Sequence, residues 1–160
     1  MNGPPPVIYS HLKYLWATGA REETLTFLRA FTAKLANDLG LHLENGDELT
    51  AASREIIESG LLPERTRLLA RCYYKLGEWQ MALQDNYGSD AIPDILQSYL
   101  LATNLDRTWY KAWHAWALAN SEVVSHYVRE QNDQAISERV YTNYLVPAVT
   151  GGLPLYLQDS

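Results

Sequence analysis

The segment Leu105–Asn120, LDRTWYKAWHAWALAN, constrains the fold more than any other part of the chain. Trp109 and Trp113 are four residues apart, and Trp113 and Trp116 three apart. In a helix all three fall on one stripe. Ala112 and Ala115 beside them let a neighbouring helix approach closely. Such a stripe must be covered by other helices, so it reads as core and not as a ligand platform.

The 160 residues suffice for one domain with a sizeable core. A formal net charge of −6 argues against nucleic acid as a bulk partner and against an anionic membrane surface. No apolar run approaches the length of a transmembrane helix. The opening MNGPPPVIYS lacks the basic and apolar regions of a signal peptide, and residues 1–6 read as a flexible N-terminus. Cys72 is the one cysteine, so no intrachain disulfide can form. That fits a reducing, cytoplasmic setting, and its helical neighbours Leu69, Tyr73 and Leu76 make it a buried structural thiol.

Helical spacing dominates the rest. Pro4 to Pro6 start a helix that carries Val7, Ile8, Leu12, Leu15 and Trp16 at helical spacing and ends at Gly19. A second helix runs from Arg21 to Asp38, with Leu25, Leu28, Phe31, Leu35 and Leu39 on its apolar face. Residues 41–60 read as a loop turning at Asn45-Gly46-Asp47, then a short helix from Thr50 to Ser59. RTRLLARCYYKLGEWQMAL then matches the tetratricopeptide turn pattern. Leu69, Ala70 and Tyr73 take the first-helix positions, Gly77 the inter-helix turn, and Trp79 and Ala82 the second helix. The period breaks at NYGSD, residues 85–89, and resumes near Ala91. A long helix is expected from Arg107 to about Glu130. Asn132-Asp133 cap a final one that Pro147 kinks or ends. The fold expected is all-α: a tetratricopeptide/HEAT-like solenoid of antiparallel helix pairs, about seven to eight helices in one segment, 1–160. Tyr73, Trp79, Tyr99 and Trp113 should meet, and no β structure should exceed a two-residue bridge.

No catalytic constellation is visible. His11, His42, His114 and His126 are scattered, and no HExxH or Cys-His spacing could hold a metal. His114 reads as a packed core histidine. There is no GxSxG elbow, no Gly-rich phosphate loop, no His-Arg-Asp and no Asp-Phe-Gly. The cations are more informative. Arg67, Arg71 and Lys75 fall at i, i+4 and i+8, and Arg107 and Lys111 at i and i+4. First helices of successive repeats line one concave wall. The pattern is open to two readings: a solvated face neutralised by nearby acids, or a pocket for a polyanion.

The stretches LARCYYKLGEWQ, ATNLDRTWYKAWHAWALANSEVVSHY and LVPAV resemble the FAT region of the target-of-rapamycin (TOR) kinases, within the phosphatidylinositol-3-kinase-related kinases. VIYSHLKYLW resembles the segment that precedes it, so the likeness covers most of Val7 to Val149. WYKAWHAWA is its most specific part. The resemblance implies a non-catalytic scaffold fragment of a serine/threonine kinase, a helical solenoid that clamps the kinase domain. Its partners would be the rest of the kinase chain and the TOR complex subunits. It requires no cofactor, but basic residues of this region bind inositol hexakisphosphate in the family. Carried over, Arg107 and Lys111 of DRTWYK, with Lys13 and Arg21 opposite, would form the polyanion site. Two departures stand out. Only REQNDQAISERVYTN precedes LVPAV, where some members carry a long insert. The tail at residues 151–160, GGLPLYLQDS, departs from the family and reads as non-native. A second class of function remains: an independent tetratricopeptide-like adaptor holding a partner's peptide in its groove.

Overall fold

Proline opens three of the six helices in the described part of the chain, where its missing N–H costs no hydrogen bond. The computed structural model describes residues 3–44, 48–60, 62–84 and 90–130. The elements are α1 (Pro5–Ala17), α2 (Arg21–Asp38), β1 (Leu43–Glu44), β2 (Glu48–Leu49), α3 (Ala51–Ser59), α4 (Pro63–Ala82), α5 (Ile92–Leu105) and α6 (Tyr110–Glu130). The fold is all-α, and β1 and β2 form only a two-residue antiparallel bridge. The NYGSD break, the expected final helix and the tail lie outside the described residues.

The longer helices pack as layers in chain order: α1 on α2, α2 on α4, α4 on α5 and α5 on α6. One core gathers Leu12, Leu28, Leu35, Leu69, Cys72, Leu76 and Trp79. A second gathers Tyr74, Ile95, Tyr99, Ala112, Ala119 and Val123. Tyr73 and Trp109 pack against both and join the two. Between layers, Thr50 caps α3 by accepting from the Ser53 N–H at 3.1 Å. The buried Ser53 hydroxyl accepts from the His42 N–H at 2.7 Å and so ties α3 to the end of α2.

Three expectations change. Gly77 makes no turn, because α4 runs unbroken through it. The glycine serves a close approach instead: a Cβ there would lie 2.8 Å from Cε1 of Tyr99, whose ring is buried. The helix pair is therefore α4 with α5, and the four-aromatic contact is replaced. Trp79 stacks on Trp16, with centroids 4.6 Å apart and planes 3° apart, while Tyr74 meets Tyr99 at 5.7 Å and Trp109 at 5.1 Å.

The Trp stripe also rotates. On α6 the residues facing the second core are Ala112, Trp116, Ala119 and Val123, continuing from Trp109. Trp113 is half-buried, meets Trp116 edge-on at 5.9 Å and donates its indole N–H to the Arg107 carbonyl at 2.8 Å. His114 is exposed and stacks on Tyr110 at 5.9 Å, so it is no core histidine.

Gly77→Ala is expected to destabilise the chain although alanine favours helices. The helical gain is about 1 kcal/mol, against about 1–3 kcal/mol for overpacking against a buried ring. A lower urea midpoint at unchanged slope is the expected result. A higher one would place Tyr99 elsewhere.

Candidate functional site

Two tyrosine rings organise the cations of the chain. Tyr9 on α1 and Tyr74 on α4 are both buried, 8% and 7% exposed. Lys13 sits one helical turn after Tyr9, and its Nζ lies 4.8 Å from the Tyr9 ring centroid. Lys75 and Lys111 approach Tyr74 from α4 and α6, their Nζ atoms 5.9 Å and 5.1 Å from its centroid. All three distances are within cation–π reach. Arg71 lies one turn before Lys75 on α4, the helix that carries Tyr74. Cations of three helices thus flank two buried rings, Lys13 at Tyr9 and Lys75 and Lys111 at Tyr74, the two stations of an aromatic ledge.

Burial is the main reason the Tyr74 hydroxyl is pushed up to about 12, with the Glu78 carboxylate adding to it. Tyr9 moves the same way, again chiefly through burial. Both rings are neutral near pH 7 and present their faces to the ammonium groups. One acid enters the ledge: Glu78 pairs with Lys75, Nζ to Oε1 2.8 Å. Beside the ledge a groove of about 350 Å³ runs between α4 and α6, lined by Met81, Tyr99, Lys111, His114, Leu118 and Glu122 among others.

The four residues expected to share a site separate into three places. Lys13 and Lys111 belong to the ledge. Arg21, at the start of α2, holds its guanidinium 5.0 Å from the Trp16 ring. Trp16 is seven residues from Tyr9 along α1, about 10 Å by helical rise. Arg107 is not on a helix with Lys111, because α6 starts only at Tyr110. The turn before it is set by Asp106, whose carbonyl accepts from the Trp109 N–H at 3.2 Å and whose carboxylate accepts from the Thr108 hydroxyl at 3.2 Å. The i, i+4 stripe therefore does not exist. Arg107 instead lines a separate cleft of about 160 Å³ with Arg54, Ile57, Glu58 and Asn104. Arg71 and Lys75 are the residues of the ledge that the sequence-based site left out. Their i, i+4 spacing on α4 was the available signal.

Among the described residues no three His, Cys, Asp or Glu side chains converge as a metal site. No described helix is long and apolar enough to cross a membrane. Cys72 is fully buried, and that burial pushes its thiol from an ordinary 9.0 up to about 12.

The Cys72 and Tyr74 shifts have the same sign. Folded, each group holds its proton more tightly than unfolded, so the stabilising contribution is complete below about pH 9. It is lost as pH rises through the folded values near 12, because the unfolded chain ionises first. The urea midpoint should be level from pH 7 to 9 and fall between pH 9 and 11. At pH 8 a thiol reagent should label Cys72 only after unfolding. A midpoint level to pH 11 with rapid native labelling would contradict this burial.

Comparison with known proteins bears on most of the chain. The FAT domain family matches residues 1–153. The serine/threonine-protein kinase tor1 of Schizosaccharomyces pombe is 40% identical over 147 residues, covering 92% of this chain and 6% of the relative. Serine/threonine-protein kinase TOR2 of Saccharomyces cerevisiae is 49% identical over 121 residues, covering 76% and 5%. Serine/threonine-protein kinase TOR of Arabidopsis thaliana is 33% identical over 153 residues, covering 94% and 6%. The chain spans about one twentieth of the length of these kinases. The matched part is the non-catalytic FAT domain, and their kinase domain is not covered.

Proposed function

The chain belongs to the FAT domain family, and from that premise we propose that it is a helical scaffold segment of a TOR-type serine/threonine kinase, working in the cytoplasm as one unit, residues 1–160. In this reading it packs against the rest of the kinase chain, clamps the kinase domain and meets the subunits of the kinase's complexes. It also binds inositol hexakisphosphate or a similar polyanion on the Tyr9–Tyr74 ledge.

The observation that carries the ligand reading is the gathering of Lys13, Lys75 and Lys111 over two buried rings in a chain of net charge −6. Scattered surface cations would be expected to sit among the excess acids. Several charge-assisted hydrogen bonds in one place are what a phosphate cluster requires. Because the cations come from α1, α4 and α6, one ligand would tie three layers together. Lys13 and Lys111 keep the role the sequence suggested, and Arg71 and Lys75 join them. Arg21 is assigned to covering Trp16, and Arg107 to the cleft with Arg54.

The test is the melting temperature of the chain with and without inositol hexakisphosphate at low salt. A saturable rise supports the reading, and an unchanged curve removes the ligand from it. The groove between α4 and α6, with Met81 and Leu118 beside Lys111, favours a second reading as a peptide-binding adaptor. Resonance shifts on peptide addition, confined to that groove and unaffected by hexakisphosphate, would select it.

A further inference from the structure

We propose that Glu78 is a built-in counter-anion of the Tyr9–Tyr74 ledge, one that any ligand of the ledge must displace from Lys75. The proposal rests on the ledge being a polyanion site. Lys75–Glu78 is the one ion pair among the described residues. It lies at the water boundary, its side chains 21% and 40% exposed, where such pairs hold weakly and exchange partners readily. Its order on the helix is also the less favourable one. A glutamate preceding a lysine suits the helix dipole better than a lysine preceding a glutamate. Helix stability therefore gains little from it.

The setting of Glu78 belongs to the ledge. Glu78 follows Tyr74 by one turn on α4, and Lys75, its ion-pair partner, lies 5.9 Å from the Tyr74 ring centroid. It is the acid already in place at Lys75. Without a ligand it neutralises part of the cationic cluster. With one, Lys75 turns to phosphate and Glu78 is left beside like charge. The exchange favours a ligand whose several phosphates engage Lys13, Arg71 and Lys111 together with Lys75. A singly charged anion would only replace one carboxylate by another group of similar charge.

The test is calorimetric titration of inositol hexakisphosphate into the wild-type chain, Glu78→Gln and Glu122→Gln. Glu122 lines the neighbouring groove with Lys111, so its variant removes the same formal charge nearby. Glu78→Gln should tighten binding on the order of tenfold, and Glu122→Gln should change it little. Equal tightening by both would show a general charge effect and overturn the proposal. Unchanged or weaker binding by Glu78→Gln, with the wild type binding, would overturn it and leave the ledge as the site. Binding by Glu78→Gln alone would support it while removing the wild-type chain as a receptor. Binding by none of the three would end both readings. Circular dichroism checks that each variant folds, and Glu78→Ala, expected to tighten binding as Glu78→Gln does, serves if glutamine does not.

Discussion

Truncating Trp79 to alanine is expected to cost about 3–5 kcal/mol of stability, the range for a large aromatic removed from a packed core. Trp79 is 3% exposed and lies flat on Trp16 at 4.6 Å. Its loss opens a cavity where α1 meets α4, and it leaves Trp16 and the Arg21 guanidinium above it without their support. For a chain of this length each kcal/mol moves the melting temperature by about 2–4 °C. Trp113→Ala should cost clearly less, because Trp113 is half-buried and meets the second core through the edge of Trp116. Urea unfolding of both variants gives the comparison. Equal costs would mean that α6 is rotated from the position described, with Trp113 turned inward.

The double change Lys75→Ala and Lys111→Ala should abolish stabilisation by inositol hexakisphosphate. A ligand of the folded state alone contributes about 2.7 kcal/mol at a hundredfold excess over its dissociation constant. Both ammonium groups face Tyr74, and removing them leaves the ledge with Lys13 and Arg71. The wild-type effect should shrink as salt screens the exposed charges. Arg107→Ala and Arg54→Ala should leave it intact, since those residues share the other cleft. ATP is a useful control. As a polyanion it could occupy the ledge weakly, and that binding should disappear with the double variant. If Arg107→Ala rather than Lys75→Ala removed the effect, the ligand would belong to the cleft beside α3.

Local chemistry made most of the helices readable. Pro5 and Pro63 mark starts. Gly19, Gly40 and Gly60 mark ends, all with positive φ. Thr50 was placed as the entrance to α3, where it now caps Ser53. Gly77 was misread because a glycine needed for contact looks the same in sequence as one needed for a turn. Only the position of Tyr99, twenty-two residues on, decides between them. The Trp stripe was legible as a buried face but not in its phase. The 3.6 period places Trp109, Ala112, Trp116, Ala119 and Val123 in one line and leaves Trp113 at its shoulder.

Arg107 and Lys111 show a different limit. Their spacing has meaning only inside a helix, and the turn at Asp106 delays the start of α6 to Tyr110. The ledge itself depends on how α1, α4 and α6 cross, which no local pattern contains. One fragment of it was nevertheless visible, the Arg71–Lys75 spacing. What the sequence lacked was what the cations rest on, two tyrosines buried on α1 and α4.

The most direct test is a crystal structure of the chain grown with inositol hexakisphosphate. Phosphate groups within hydrogen-bond distance of Lys13, Arg71, Lys75 and Lys111, with Glu78 withdrawn from Lys75, are the predicted result. A ligand held instead between Arg54 and Arg107, or a ledge unchanged at saturating ligand with Lys75 still paired to Glu78, would contradict it.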